Sequence, residues 1–539
     1  MGDAASSLTL EEQIGQVLMV GFTGTTATPQ LVKLIRQYHV GNIILFSRNL
    51  QSVQQVRALT ENLQDCARSA GQRQPLLIAV DQENGMVQRL GTDATIFPGS
   101  MALGAVGEEH SAYEVALAAG QELRALGINL NLAPVVDVNN NPANPVIGVR
   151  SFGEDAGQVA RLAGAQIRGY QQAGVATCVK HFPGHGDTAT DSHLAMPVVP
   201  YEMERLERVE LVPFKTSIAA GSDCVMTAHI SFPALTGTGT LPATLSAAVI
   251  GQLLREQLGF PGVIITDCLE MNAVSQGVGV GRGSVLALQA GNDLVLISHR
   301  YDRQLAGIEA LKAALRSGEI APARIQEAAG RVLALKSRLG ERERRQAAPA
   351  LAEVGSAGHR RLGERIYACS TTLVRDEQAL LPLRLAAGQR LLLIYTHRAA
   401  WTQVEDRGYP EAFLVEQLRR RHPRTEVRVL GEQTSADEDE QLYDTARQAD
   451  AILMVTVNAL HDARQVQVMQ NLLKLGRPLI GLAPYSPYDL LAFPELATYL
   501  VTYEYTAPAI AAAVGVLFGE IAPRGRLPVS LPGLYPLRT

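Results

Sequence analysis

The feature that most constrains the fold is a repeated alternation of short apolar runs with amphipathic segments. Eight runs lie at Val17–Phe22, Asn42–Phe46, Leu76–Val80, Leu130–Val138, Val175–Val179, Cys224–Thr227, Val263–Thr266 and Leu294–Ile297. Between the first two, Thr28 is placed to cap a helix and Pro29 to begin it. Parallel strands covered on both faces are apolar along their whole length, so the pattern predicts a (β/α)8 barrel of the TIM type. An open, doubly wound sheet is the structural alternative.

A second, shorter alternation follows a charged stretch at residues 341–357, which contains Ala and Pro and is typical of a crossing between domains. Its apolar runs lie at Leu391–Tyr395, Val427–Leu430, Ala451–Val457, Leu479–Ala483 and Thr498–Thr502. A chain of 539 residues is too long for one ordinary core. We therefore expect two domains, a barrel at 1–340 and a smaller α/β sandwich at 358–539, with 341–357 as the linker.

Polar, titratable residues stand where several of the predicted barrel strands end. In a barrel only the carboxyl ends of the strands gather side chains from distant parts of the chain, and active sites are built there. One such residue could simply meet solvent, but charge recurs at the same end of strand after strand. These residues are Asp81, Lys180, His181, His229, Asp267 and His299.

The most informative segment is K-H-F-P-G-H-G-D-T-A-T-D-S-H, from Lys180 to His193, which carries one Lys, three His and two Asp. Its proline and glycines exclude a regular helix, so the segment is predicted to be a loop at the end of a strand. Asp191 stands two residues before His193 and can accept its ring N–H, holding one tautomer. Such a pair is a proton donor and acceptor suited to neutral pH. An Asx turn beside an exposed histidine is the alternative.

Asp267 follows the apolar residues of the seventh run and precedes a helix-like stretch, so it is expected to point into the barrel mouth. A carboxylate there can act as a nucleophile. A helix N-cap is the other role that Asp fills well at such a position. Glu270, three residues on, is expected to face outward.

A metal site is a further alternative, because His181, His185, Asp187 and His193 are all potential ligands. An i, i+4 histidine pair suits zinc only on a helix, which the proline and glycine between them remove. The interpretation therefore includes no metal and no cofactor.

Composition and charge exclude several classes of function. A net charge of -5 argues against nucleic acid as the main partner. The sequence contains no run of about 18 apolar residues, so no membrane span is predicted. The five cysteines are scattered without a C-x-x-C pair, which favours buried, reduced thiols. The N-terminal residues do not read as a signal peptide, so a cytoplasmic location is expected, although a leader removed earlier is compatible with this. The sequence leaves the oligomeric state open.

Together these segments resemble glycoside hydrolase family 3, in its β-N-acetylglucosaminidase branch. The resemblance rests on V-D-Q-E-N-G-M-V-Q-R, R-S-F-G, K-H-F-P-G-H-G-D-T-x-x-D-S-H, M-T-A-H-I and I-T-D-C-L-E-M, in the expected order. The second domain is similar to the family's C-terminal α/β sandwich, mainly in element order and the terminal G-R-L-P-V. The chain departs from the usual pattern at Asn84, where a second glycine is commoner; Asn tolerates unusual backbone angles.

The resemblance implies roles for individual residues. Asp267 would be the nucleophile, His193 the general acid/base and Asp191 its orienting partner. The residues implied to bind the sugar hydroxyls are Asp81, Arg89, Arg150, Lys180 and His181.

The implied reaction is hydrolysis of terminal, non-reducing β-linked N-acetylglucosamine with retained configuration, through a covalent glycosyl-aspartate. Cell-wall fragments are the implied substrate class. Because a neutral imidazole repels an anion less than a carboxylate does, a phosphorylase that uses phosphate in place of water is an alternative. A non-catalytic sugar-binding protein is the second alternative. His461, Asp462 and Arg464 of the second domain are either solvated loop residues or close to a ligand.

Overall fold

A computed structural model describes residues 3–190, 196–237, 240–397, 405, 409–431 and 436–537. Asp191 and His193 lie outside these residues, so what the sequence predicts for them stays a prediction.

Ten short strands belong to the first part of the chain. They are β1 Leu18–Val20, β2 Asn42–Leu45, β3 Leu77–Val80, β4 Gln82–Asn84, β5 Val87–Gln88, β6 Leu130–Asn131, β7 Ala176–Phe182, β8 Cys224–Thr227, β9 Val263–Thr266 and β10 Val295–Ile297. Eight form one sheet in the order β10-β1-β2-β3-β6-β7-β8-β9 with parallel neighbours, and β4 pairs with β5 as a separate hairpin. A parallel bridge between Ile265 and Leu294 joins the two outer strands. The sheet thus closes, which confirms the barrel and excludes the open sheet.

The helices lie between and around these strands, and a smaller set continues through the second domain. Their bounds are Asp3–Ser6, Leu10–Gln16, Pro29–Gln37, Val53–Ser69, Ser100–Val106, Glu109–Ala125, Ala156–Ala173, Met203–Arg208, Leu211–Ala219, Pro233–Thr236, Ala248–Gln257 (of π type), Asn272–Ser275, Val280–Ala290, Tyr301–Arg316, Pro322–Arg345, Ala357–Ser370, Glu411–Arg421, Ala436–Gln448, Ala463–Leu473 and Ala507–Leu517.

The helix Pro29–Gln37 shows why these elements form where the sequence predicts them. The hydroxyl of Thr28 accepts a hydrogen bond from the backbone N–H of Leu31 at 3.2 Å, which caps the first turn. Leu31, Leu34 and Ile35 share one face and are buried. Since that apolar stripe is covered only when the helix lies against the sheet, the packing and the helix stabilise each other.

Two details of the barrel differ from the sequence-based expectation. The run Leu130–Val138 is a strand only at Leu130–Asn131, because Pro134 has no N–H to continue the ladder, and the chain rejoins its neighbour through a single bridge from Val135 to Lys180. The helix Pro322–Arg345 also extends five residues into the predicted linker.

The second domain is a six-stranded sheet with helices on its faces. Its strands are β11 Thr372–Asp376, β12 Leu391–Thr396, β13 Thr425–Leu430, β14 Ala451–Val455, β15 Leu479–Ala483 and β16 Thr498–Val501. The order is β11-β16-β15-β14-β12-β13, and only β11 runs antiparallel to its neighbour. The five parallel strands match the predicted runs, while the partly exposed edge strand β11 has no continuous apolar run to predict it.

The two domains share a core and a buried polar contact. Met101 and Val149 of the barrel belong to the hydrophobic cluster of the second domain. Glu504, which is 2% exposed, accepts hydrogen bonds from the backbone N–H of Gly99 and from the hydroxyl of Tyr367, the latter at 2.8 Å. Burial raises the pKa of Glu504 to about 8, so its proton is retained near neutral pH and the contact carries little charge.

All five cysteines are free, and four of them are buried while Cys369 is half-buried. Within the part of the chain that the structure describes, no helix combines the length and the apolar character needed to cross a membrane.

Candidate active site

A cavity of about 380 Å³ lies at the carboxyl ends of the barrel strands. Six of the eight residues that the sequence singles out for catalysis and binding line it together. They are Asp81, Arg89, Arg150, Lys180, His181 and Asp267. The positions of Asp191 and His193 stay predictions, since both lie outside the described residues.

The floor of this cavity is a buried network of charges centred on Glu83. The guanidinium of Arg150 binds both carboxylate oxygens of Glu83, each at 2.8 Å. The ammonium of Lys180 reaches Glu83 at 2.7 Å and Asp81 at 2.6 Å. Glu83 and Lys180 are 4% and 3% exposed, so each charge depends on its partners rather than on water.

Burial and ion pairing shift the pKa values of these groups in opposite directions, and ion pairing has the larger effect. Burial alone would raise the pKa of Glu83, but Arg150 and Lys180 hold it far below its ordinary range. For Lys180 burial would lower the pKa, yet Asp81 and Glu83 raise it above the ordinary value. The network is therefore ionised at neutral pH and presents fixed donors and acceptors to a ligand.

A second buried carboxylate, Asp137, orients two of the histidines that line the cavity. Its Oδ2 accepts from the Nδ1–H of His181 at 2.7 Å, and its Oδ1 accepts from the backbone N–H of His185 at 2.7 Å. The Nδ1 of His185 lies 2.8 Å from the hydroxyl of Thr188. Burial, with the nearby His181, lowers the pKa of His185 to about 4, so its ring is neutral at physiological pH. With Nδ1 of His181 committed to Asp137, Nε2 is the ring atom left to meet a ligand.

Asp267 stands directly after β9, partly exposed to the cavity. Its Oδ1 accepts from the N–H of Cys268 at 2.7 Å. The buried ring of His229 holds the next peptide, with Nε2 3.0 Å from the Cys268 carbonyl oxygen and Nδ1 2.9 Å from the Thr244 hydroxyl. His229 thus supports the backbone behind Asp267 and is not among the residues that line the cavity.

The segment after β7 approaches the preceding loop so closely that Gly186 has no room for a side chain. A Cβ at Gly186 would lie 1.8 Å from the carbonyl oxygen of Val138. The side-chain amide of Asn144 adds hydrogen bonds to the carbonyls of His185 and Gly186 at 2.9 and 3.0 Å. These contacts hold the start of the predicted catalytic loop against the barrel.

Of the other polar residues noted in the sequence, His299 also lines this cavity. Glu270 is not among the lining residues and accepts from the backbone N–H groups of His299 and Arg300. In the second domain Asp462 caps the helix Ala463–Leu473, and Arg464 pairs with Asp439. His461 lines a small cavity between the domains, and Val146 lines both this cavity and the one described above.

The described residues contain no group of three or more His, Cys, Asp or Glu placed to hold a metal ion.

The comparisons with known proteins agree with this geometry. Residues 9–335 match the Glycosyl hydrolase family 3 N terminal domain. Beta-hexosaminidase A of Pseudoalteromonas piscicida is 31% identical over 598 aligned residues, covering 97% of each chain. The chain belongs to glycoside hydrolase family 3.

Solved structures of the same family share both domains. A family 3 β-N-acetylglucosaminidase from Paenibacillus sp. str. FPU-7 is 43% identical, with a TM-score of 0.90 over 97% of this chain and 99% of its own. A fungal multi-domain family 3 β-N-acetylglucosaminidase is 42% identical, with a TM-score of 0.93 over 98% of this chain and 62% of its own. As a family 3 member the chain is a glycoside hydrolase, and a purely sugar-binding role is set aside.

Glu83, Asp137 and His185 are site residues that the sequence analysis did not assign. Glu83 stands inside the quoted V-D-Q-E-N-G segment, and Asp137 interrupts the apolar run V-V-D-V. A lone carboxylate inside an apolar run is the signal that could have found Asp137, since such a group is buried only when it is paired.

Replacing Glu83 with Gln removes the charge that Arg150 and Lys180 share. We expect E83Q to lower the free energy of unfolding by about 3 kcal/mol, because two buried cations lose their main counter-charge. Because the folded-state pKa of Glu83 lies far below its ordinary value of 4.5, the wild-type advantage is full above that pH, is still mostly present at pH 4, and is lost only as the pH falls through the folded-state pKa. Urea unfolding of both proteins at pH 7 and at pH 4 measures this.

Glu61→Gln is the matched control. Its partner Arg57 lies 2.6 Å away, but Glu61 is 57% exposed, so the loss should stay below about 1 kcal/mol. Equal losses for E83Q and E61Q would contradict the importance of the buried network.

Proposed function

We propose that this enzyme is a retaining exo-β-N-acetylglucosaminidase that removes terminal, non-reducing N-acetylglucosamine from β-linked glycans. The observation that carries the proposal is one carboxylate, Asp267, which directly follows β9 and is partly exposed in the cavity that Asp81, Arg150 and Lys180 also line. The names of the similar proteins, β-hexosaminidase and β-N-acetylglucosaminidase, support N-acetylglucosamine as the sugar that is removed. Cell-wall fragments are the substrate class implied by the resemblance.

In the proposed reaction Asp267 attacks the anomeric carbon while His193 protonates the oxygen of the leaving group. The bond from that carbon to the leaving oxygen breaks as the bond to the Asp267 carboxylate forms. His193, now neutral, then removes a proton from water, which displaces the aspartate and releases the sugar with its configuration retained. Asp191 would orient the ring of His193.

The other side chains that line the cavity would bind the sugar and fix its orientation. Lys180 and Asp81 are already fixed by their ion pair, and Arg150 by its ion pair with Glu83, so little ordering is needed when hydroxyl groups replace water against them. Nε2 of His181 offers a further polar contact. The cavity of about 380 Å³ has room for one terminal sugar rather than a chain passing through.

A 2-deoxy-2-fluoro glycosyl donor tests the nucleophile, because it slows hydrolysis of the covalent intermediate. We expect the wild-type protein to gain the mass of one sugar, and Asp267→Asn to gain none, since an amide oxygen is a poor nucleophile. Intact-protein mass spectrometry measures the adduct. Asp302→Asn, at an exposed site, should label like the wild type. Labelling of D267N at another residue would mean that a different group attacks.

His193→Ala tests the acid role through the leaving group. A poor leaving group needs protonation, so kcat/KM should fall about 10²- to 10⁴-fold, whereas an activated aryl leaving group should lose far less in the glycosylation step. Steady-state rates with alkyl and dinitrophenyl N-acetylglucosaminides make the comparison. An equal loss with both substrates would remove His193 from this role.

Inorganic phosphate separates the hydrolase from the phosphorylase. We expect free N-acetylglucosamine as the product with and without phosphate, because water is the proposed acceptor. Product analysis by chromatography and mass spectrometry checks this. Formation of the sugar 1-phosphate in proportion to added phosphate would replace the hydrolase with the phosphorylase.

A further inference from the structure

A second cavity of about 320 Å³ opens beside the catalytic one on the same face of the barrel. It lies between the segments that follow β1 and β10. Its floor is apolar, formed by Phe22, Leu31 and Leu34, and its walls include Thr23 and Gln30. His299 lines both cavities, so they meet at this residue.

The rim between the two cavities is aromatic. The rings of Phe46 and His299 lie 5.2 Å apart, and Arg48 lies over the Phe46 ring at 4.3 Å. Phe46 and Arg48 belong to the catalytic cavity. Aromatic rings pack against the apolar face of a sugar ring. Because Arg48 already covers one face of Phe46, the ring of His299, which lines both cavities, is the aromatic surface that we invoke here. A glycan with its terminal sugar in the catalytic cavity would meet this rim with its next residue.

The second cavity is held rigidly. Arg48 donates to the carbonyl oxygens of Phe22 and Ser298 at 2.9 and 2.8 Å, which joins the segments after β1 and β10. The amide of Gln304 joins the same segments through the carbonyls of Gly21 and Ile297. Since the walls are tied before a ligand arrives, binding there loses little conformational freedom.

We propose that this second cavity is the subsite for the leaving-group sugar and that it takes a neutral N-acetylhexosamine rather than an anionic one. Of the described residues that line it, none is Asp, Glu, Lys or Arg; the polar ones carry hydroxyl, amide or imidazole groups. An anionic sugar would lose hydration there, and the residues that line this cavity would offer it no cation.

The charged side chains closest to this cavity already have partners within the protein. Arg300 and Asp302, which flank the lining residue Tyr301, pair with each other at 2.8 Å, and the guanidinium of Arg48 binds two carbonyls. The inference rests on the proposed function and narrows its substrate class. Neutral chito-oligosaccharides fit this subsite better than cell-wall fragments, whose leaving sugar carries an acidic lactyl group.

The test blocks the cavity and compares substrates that do and do not reach it. N-acetyl-β-glucosaminyl fluoride has a leaving group of one atom, whereas diacetylchitobiose places a whole sugar beyond the cleaved bond. We expect Thr23→Trp to lower the ratio of kcat/KM for diacetylchitobiose to that for the fluoride by about tenfold or more. Thr26→Trp, at an exposed residue of the same loop, should leave the ratio unchanged.

Wild-type enzyme should also prefer diacetylchitobiose to the disaccharide of N-acetylglucosamine and N-acetylmuramic acid by about tenfold. If T23W lost activity equally on the fluoride and on diacetylchitobiose, so that the ratio stayed unchanged, the cavity would not be the leaving-group subsite. If the wild-type enzyme preferred the anionic disaccharide, the subsite would not be selective for a neutral sugar. If T23W fails to fold by circular dichroism, Gln30→Trp on the opposite wall serves in its place. Failure of the proposed function is seen separately, as wild-type enzyme inert towards the fluoride.

Discussion

The structure of the site depends on one buried interaction, the sharing of the Glu83 carboxylate between Arg150 and Lys180. Glu83 and Arg150 come from segments that follow β3 and β6, and Lys180 lies within β7 near its carboxyl end, so a single carboxylate connects three neighbouring strands. The arrangement is stable only as a whole, because each buried charge without its partner would cost several kcal/mol. It also places Asp81 beside Lys180 and keeps Glu83, Arg150 and Lys180 ionised. The positions of the side chains proposed to bind the sugar follow from this network rather than from their individual loops.

The barrel could be predicted from the sequence because a buried strand requires a continuous apolar run, which is visible in the sequence itself. A parallel strand covered on both faces must be apolar throughout, and eight such runs match the eight strands. The polar residues that end these runs mark the face where the cavity lies. For the same reason the six predicted residues from Asp81 to Asp267 that the structure describes meet in one cavity.

The partners of those residues could not be predicted in the same way. Glu83 lies in a hairpin of short strands, and Asp137 lies in a segment without regular pairing, so periodicity says nothing about where either side chain points. Their roles depend on which cations and rings lie opposite, and those come from residues 67 and 44 positions away in the chain.

The edge strand β11 could not be predicted either, for a related reason. One of its sides has no partner strand, and most of its residues are half-buried, so the apolar run that marks its neighbours is missing.

The histidines in the cavity show why the proposed acid/base is reasonable in this surrounding. Asp137 is ionised because burial, which would raise its pKa, is outweighed by His181 and His185. Glu83 is ionised as well, so the cavity already holds several fixed negative charges near the place where Asp267 must stay anionic to attack. A second catalytic carboxylate would add repulsion and raise the pKa of its neighbour. An imidazole would avoid that, because in the proposed reaction it would donate its proton to the leaving oxygen and then stand neutral beside the glycosyl-aspartate. Its proton would be the one charge that moves in a site whose other charges are held in place.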